Sequence, residues 1–204
     1  MSVTHIEVLV EEESMEAALR HLLPKLVDGI SFEVYPYQGK SDLLRKLPQR
    51  LRGYSAFLPA DWRIVVVMDR DDDDCRRLKQ QLEDSARQAG LATRSMRPDG
   101  NYSVVTRLAI EELEAWYFGD WCAVAAAYPN VPTGTPRRRH YRDPDSIRGG
   151  TWEAFERVMQ HAGYFAGGLR KIEAARTIAL HWDPDKNGST SFCAFRDAIR
   201  DLTA

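Results

Sequence analysis

The apolar positions of this chain change period several times, and the changes divide it into elements. Residues 3–10 (V-T-H-I-E-V-L-V) are apolar at most positions and predict a first strand. Residues 31–37 (S-F-E-V-Y-P-Y) alternate, which predicts a shorter strand near a sheet edge because of Pro36. Residues 64–68 form a β-branched apolar run, the pattern of a strand buried on both faces, and 91–96 predict a fourth strand. Residues 101–108 read as a short strand or an extended connector. Between these runs the spacing is helical. Met15, Leu19, Leu22, Leu23 and Leu26 share one side, with Ser14 as the expected N-cap and Pro24 as the stop. Further helices are predicted over 41–51 and over 76–90, the second closed by Gly90. The alternation of strand and helix argues for an α/β fold with a parallel sheet covered on both faces.

A helix over 109–119 follows, with Ile110, Leu113 and Tyr117 on its apolar face. Glu111 and Glu114 flank that face, whereas Glu112 points away and reads as a solvated residue. Three more helices are expected over 152–161, 169–182 and 192–202, the last capped by Ser191. The segment 129–150 differs in composition, with four prolines, three glycines and a run of arginines. It divides the chain into an α/β domain over 1–128, a mobile basic connection over 129–150 and a helical portion over 151–204. Such long connections are uncommon unless they are functional or disordered.

Composition narrows the class. The 204 residues suffice for one compact domain with a smaller appendage, and 44% hydrophobic with 28% charged residues is ordinary for a soluble protein. A net charge of −2 predicts no global attraction to nucleic acid or membrane. No apolar run approaches a membrane span, no leader is visible, and the three scattered cysteines form no C-x-x-C pair. These features suggest the cytoplasm. The five histidines lack ligand spacing, and no phosphate-binding glycine loop or Ser or Cys nucleophile motif occurs.

The acidic residues change the picture. The strand over 64–68 empties into Asp69, Asp71, Asp72, Asp73 and Asp74, and the first strand ends at Glu11, Glu12 and Glu13. Like charges this close repel one another. Either they point into water and cap helices, or they share a divalent cation, and hard cations such as Mg²⁺ prefer carboxylate oxygens. Sites in open parallel sheets lie outside the carboxyl ends of the strands, where these residues fall. Arg137, Arg138, Arg139 and Arg142 in the basic connection suit phosphate-backbone contacts, or else a solvated linker.

The arrangement resembles the TOPRIM domain of topoisomerases, primases and OLD-type nucleases, a Rossmann-like parallel-sheet domain. That domain has a glutamate after its first strand, usually followed by glycine, and an Asp-x-Asp after its third. The matching residues are V-E-E-E-S-M-E at 10–16 and M-D-R-D at 68–71. This likeness covers roughly the first half of the chain. Nearly all of it is similar to a bacterial TOPRIM-like family of unassigned function that shares the E-E-x-S-M-E start, the D-R-D run, E-E-L-E-A-W and N-G-S-T-S-F. Glu12 departs from the glycine, which puts DNA strand passage in doubt but not metal binding.

The resemblance implies Mg²⁺-dependent phosphodiester hydrolysis on nucleic acid, with Mn²⁺ as a substitute and DNA as the favoured substrate. Glu11, Asp69 and Asp71 would be the catalytic residues and would hold metal, joined by Asp73, Glu111 and Glu114. It further implies an ATPase partner of the OLD or structural-maintenance type, and a homo-oligomer is an additional expectation. Two other classes compete. One is a non-catalytic TOPRIM-like partner module whose acids only cap helices or touch another subunit. The other is a phosphatase of the haloacid dehalogenase type, although its Asp-x-Asp usually ends the first strand rather than the third. Sugar-nucleotide transferases share an Asp-x-Asp as well, with less support.

Overall fold

A computed structural model describes residues 2–97 and 100–203. Among them, four strands form one parallel sheet in the order β2-β1-β3-β4. The strands are β1 (His5–Val10), β2 (Ser31–Pro36), β3 (Trp62–Asp69) and β4 (Val104–Ala109). The predicted α/β class and the edge position of β2 are therefore observed.

Parallel neighbours need crossovers, and α1 (Glu13–Leu22), α2 (Lys40–Phe57) and α3 (Cys75–Gln88) supply them. Period-two alternation divides the strands between two cores. Val8, Val10, Val65, Val67 and Val105 face the core shared with α1 and the C-terminal helices. Leu9, Ile64, Val66, Met68 and Val104 face α2 and α3. Helix α2 continues through Pro48 to Phe57 rather than stopping at 51. A helix-interior proline costs about 3 kcal/mol, and burial of Leu51 and Tyr54 beyond it offsets that cost.

The fourth strand lies elsewhere than over 91–96. Only Thr93 of that stretch makes a bridge, to Val104, and β4 begins at Val104. The predicted helix over 109–119 is correspondingly shorter, because Ala109 ends β4 and α4 spans Leu113–Gly119. Two N-cap expectations also fail. Ser14 donates to the Glu12 carboxylate, and Glu12 occupies the cap position of α1. Ser189, not Ser191, accepts from the Phe192 amide at the start of α8 (Thr190–Thr203). Ser191 instead accepts from the Trp116 indole at 3.0 Å.

The remaining helices are α5 (Trp121–Ala127), α6 (Thr151–His161) and α7 (Lys171–Ala179). Turns and two short 3-10 segments, Thr135–Arg137 and Pro144–Ser146, fill most of the segment between α5 and α6. Phe155, Ile178, Phe192 and Ile199 share one core with the β1 and β3 valines, so the C-terminal helices pack on the sheet's core. Lys25, after α1, ties α7 down by donating to the carbonyls of Ala179, Leu180 and Trp182 at 2.8–2.9 Å. No helix among the described residues is long and apolar enough to cross a membrane.

Candidate functional site

The carboxyl ends of β1, β3 and β4 lie side by side, since Val10 pairs with Val67 and Asp69 with Ala109. Each strand delivers an acid to this edge. β1 leads into Glu11, β3 ends on Asp69, and β4 leads through Glu111 into α4, whose first turn carries Glu114. The sheet continues as turn hydrogen bonds beyond its strands. The Arg70 amide donates to the Ala109 carbonyl at 2.9 Å and the Asp71 amide to the Glu111 carbonyl at 2.7 Å. Asp71 adopts φ +50°, a left-handed conformation that aspartate tolerates better than most residues.

Asp69 and Glu114 are almost fully buried, at 6% and 2% exposure. Burial disfavours their charged forms, and their neighbours add to this. Asp69 is raised well above the ordinary aspartate value by burial, then by Glu11, Glu114, Glu12 and Asp71. Glu11 is pushed up to about 7 by burial and by Asp71, against a hydrogen bond from the Asp69 amide at 3.2 Å. Glu114 also reaches about 7, through burial and Glu112 and Glu12, with Lys171 opposing. One carboxylate oxygen of Asp69, Oδ1, is buried without a hydrogen-bond partner, as is the Tyr117 hydroxyl. Leaving such a group unpaired costs roughly 1–3 kcal/mol. Tyr128, Glu153 and Trp182 also carry a buried atom without a partner, and what sets Asp69 apart is the acids around it.

Two lysines that sequence reasoning missed complete the edge. Lys40, at the start of α2, pairs with Asp71 at 2.6 Å and Asp73 at 2.7 Å and donates to the Arg70 carbonyl. Burial lowers Lys40, but these two partners outweigh it and hold the amine above the ordinary lysine value. Lys171, at the start of α7, is lowered by burial yet raised overall by Glu114, Glu12, Glu112 and Asp69. Its amine also lies 5.4 Å from the Trp152 ring centroid. Nothing in the local sequence around either lysine announces an acidic partner, because both meet the acids only through the fold.

The predicted site residues therefore separate. Asp69 couples to Glu11 on one side and to Glu114 on the other, and Asp71 acts on both Glu11 and Asp69. Asp73 lies outside these couplings, exposed and paired with Lys40, and Glu111 is paired with Arg70. Glu112, expected in solvent, is half-buried and accepts from the Thr151 hydroxyl at 2.9 Å and the Trp152 amide at 3.0 Å. It thereby caps α6, an anion at a helix N-terminus. Glu12 has extended backbone angles (φ −147°, ψ 168°), so this position requires no glycine. Arg137, Arg138, Arg139 and Arg142 are all exposed.

The donor set is oxygen-only and suits a hard cation. The orphaned Asp69 oxygen and the raised carboxyls of Glu11 and Glu114 are what a missing positive charge would relieve, so these residues fit a divalent ion. Among the described residues no three His, Cys, Asp or Glu side chains are already gathered as a metal cage.

No curated protein and no solved structure is matched by this chain. Residues 10–200 match the family described as a domain of unknown function, DUF4276, and on that match over nearly its whole length the chain belongs to that family.

Proposed function

We propose that this protein is a Mg²⁺-dependent phosphodiesterase acting on nucleic acid, a nuclease of the TOPRIM-like kind. The observation that carries the reading is the buried, half-unpartnered Asp69 between Glu11 and Glu114 at the carboxyl edge of the central strands. Asp69, Glu11 and Glu114 would hold the ion, with Asp71 next to them. A bound divalent cation supplies neutralisation of phosphodiester charge and a more acidic water. Glu11 is pushed up to about 7 without metal. A bound cation favours its carboxylate form, so Glu11 acts as a ligand, or as a general acid or base where it does not bind the ion. Lys171 keeps its charge and balances Glu114, while Lys40 holds the 70–73 turn in place. The exposed arginines of 137–142 offer phosphate contacts. An ATPase partner and a homo-oligomer belong to the same reading.

One observation favours a second reading. Lys40 already neutralises Asp71 and Asp73, as it would in a non-catalytic module that recognises a protein partner. Calorimetric titration of Mn²⁺ and Mg²⁺ into the wild type, Glu11→Gln and Asp69→Asn separates the two. The nuclease reading expects saturable binding, weakened at least tenfold by each substitution, and metal-dependent cleavage reduced 100-fold or more by Asp69→Asn. Absence of binding, or cleavage unchanged in Asp69→Asn, overturns it in favour of the partner module.

A further inference from the structure

The molecule has a second feature of different chemistry, a groove of about 720 Å³ between the edge strand β2 and α2. Its walls are aromatic: Tyr35 and Tyr37 from the β2 end, Tyr54 and Phe57 from the last turns of α2, and Trp62 from the start of β3. Phe57 is 65% exposed, an unusual setting for a large apolar ring. Basic side chains interleave with these rings. The Arg50 guanidinium lies 4.7 Å from the Tyr35 centroid and 4.9 Å from that of Tyr54, and Lys46 lies 5.9 Å from that of Tyr37.

Two acids balance that charge. Asp42 pairs with Lys46 at 2.8 Å and with Arg45, and the buried Glu7 accepts from the Tyr54 hydroxyl with Arg50 3.8 Å away. The groove is therefore near neutral, and the rings it leaves open are Tyr37, Phe57 and Trp62, since Tyr54 is buried in its floor and Arg50 lies over Tyr35. Gly53 lines it inside α2, about one turn before the helix ends, where glycine weakens a helix. A Cβ there would meet nothing within 4 Å, so neighbouring atoms do not demand the glycine. Its effect is to leave the groove open.

The position matters as much as the lining. Gln38, at the groove's near end, is two residues from Lys40, which holds Asp71 and Asp73 at the acidic edge. From there the groove follows α2, whose 18 residues span about 27 Å. We propose that this groove binds single-stranded nucleic acid, with bases stacked on its open rings, Tyr37, Phe57 and Trp62, and one end of the strand delivered to the acidic edge. Open aromatic faces along a track are what unpaired bases require, and paired bases cannot offer their own. The proposal rests on the phosphodiesterase reading only for what happens at that delivered end.

Fluorescence anisotropy of a labelled single-stranded oligonucleotide of about ten nucleotides, in EDTA, tests binding with hydrolysis silenced. The single strand is expected to bind at least tenfold tighter than a duplex of the same sequence. Tyr37→Ala and Gly53→Leu should each weaken it tenfold or more. Gly53→Leu should also raise Tm, which distinguishes a filled groove from a damaged fold. With Arg138 and Arg139 replaced by alanine, the salt dependence that remains should be shallow, equivalent to roughly one or two phosphates. No binding, equal affinity for duplex, or undiminished binding by a well-folded Gly53→Leu variant overturns the proposal. Binding without cleavage on adding metal would remove the phosphodiesterase reading alone, and cleavage unaffected by either groove substitution would remove the groove alone.

Discussion

Two buried carboxylates in neighbouring strands have opposite surroundings. Glu7, in β1, is 5% exposed and fully engaged: its oxygens take the Tyr54 hydroxyl and the His5 ring at 3.0 Å. Asp69, at the end of β3, is 6% exposed, has one oxygen with no partner and faces Glu11 and Glu114. Glu83 of α3 repeats the first pattern. Although burial opposes it, hydrogen bonds from Lys79, Thr106 and Thr93 hold its carboxyl below the ordinary value. Buried charge is stabilised when the fold supplies partners and costs free energy when it does not. Glu7 and Glu83 thus complete the structure, whereas the fold leaves Asp69 without such partners.

That comparison can be broken at Glu7. Glu7→Ala leaves the Tyr54 hydroxyl buried near Arg50 without its acceptor, and should lower stability by about 2–3 kcal/mol in urea unfolding. Metal affinity should be untouched, because Glu7 points away from the acidic edge into the α2 face. A variant as stable as the wild type would erase the distinction between the two acids.

Glu114 sharpens it from the other side. Its carboxyl is raised from 4.5 to about 7, so the folded state binds the proton more tightly than the unfolded state. Its contribution to stability is therefore full below pH 4.5 and lost as pH rises through about 7. Glu114→Gln removes that loss. Without metal the variant should exceed the wild type by about 1–3 kcal/mol at pH 8, with the gap closing toward pH 4.5. Mg²⁺ should narrow the pH 8 gap by stabilising the wild type more than the variant, which binds it more weakly. Urea titrations at both pH values read this directly, and a less stable variant at pH 8 would refute it.

The smallest effect is expected at the exposed arginines. Replacing Arg138 and Arg139 together by alanine should leave Tm within a degree or two of wild type. It should reduce the slope of log affinity against log salt for nucleic acid by about 1–2. An unchanged slope would return that segment to the status of a solvated connection.

Much of the sheet was legible because its signals are local. β-branched runs at 64–68 and the alternation at 31–37 predicted β3 and β2 within two residues at each end. Glu11 and Asp69 could be named because a strand running into acids is visible in one dimension. The error over 91–96 was also local in origin. Two short apolar runs lay close together, and only pairing with β3 selected 104–109. Glu112 was placed in solvent because a helical wheel assumed that α4 had already begun, whereas it is the cap residue before it. Ser14 and Ser191 have the right chemistry for caps, but each is engaged elsewhere by groups the chain pattern does not reveal.

Local patterns along the chain suffice for the class of fold, the edge position of β2 and the acids at the strand ends. Hydrophobic period, proline and strand-terminal charge act over a few residues and need no long-range information. Only the tertiary structure decided which acids meet. It buries Glu114 beside Asp69, brings Lys171 from α7 and Lys40 from α2 to the same edge, and leaves one Asp69 oxygen unpaired. It also joins Tyr35 and Tyr37 near β2 with Phe57 and Trp62, some 20 positions further along the chain, in one groove. Desolvation and charge coupling depend on distance in space, and no periodicity along the chain encodes them.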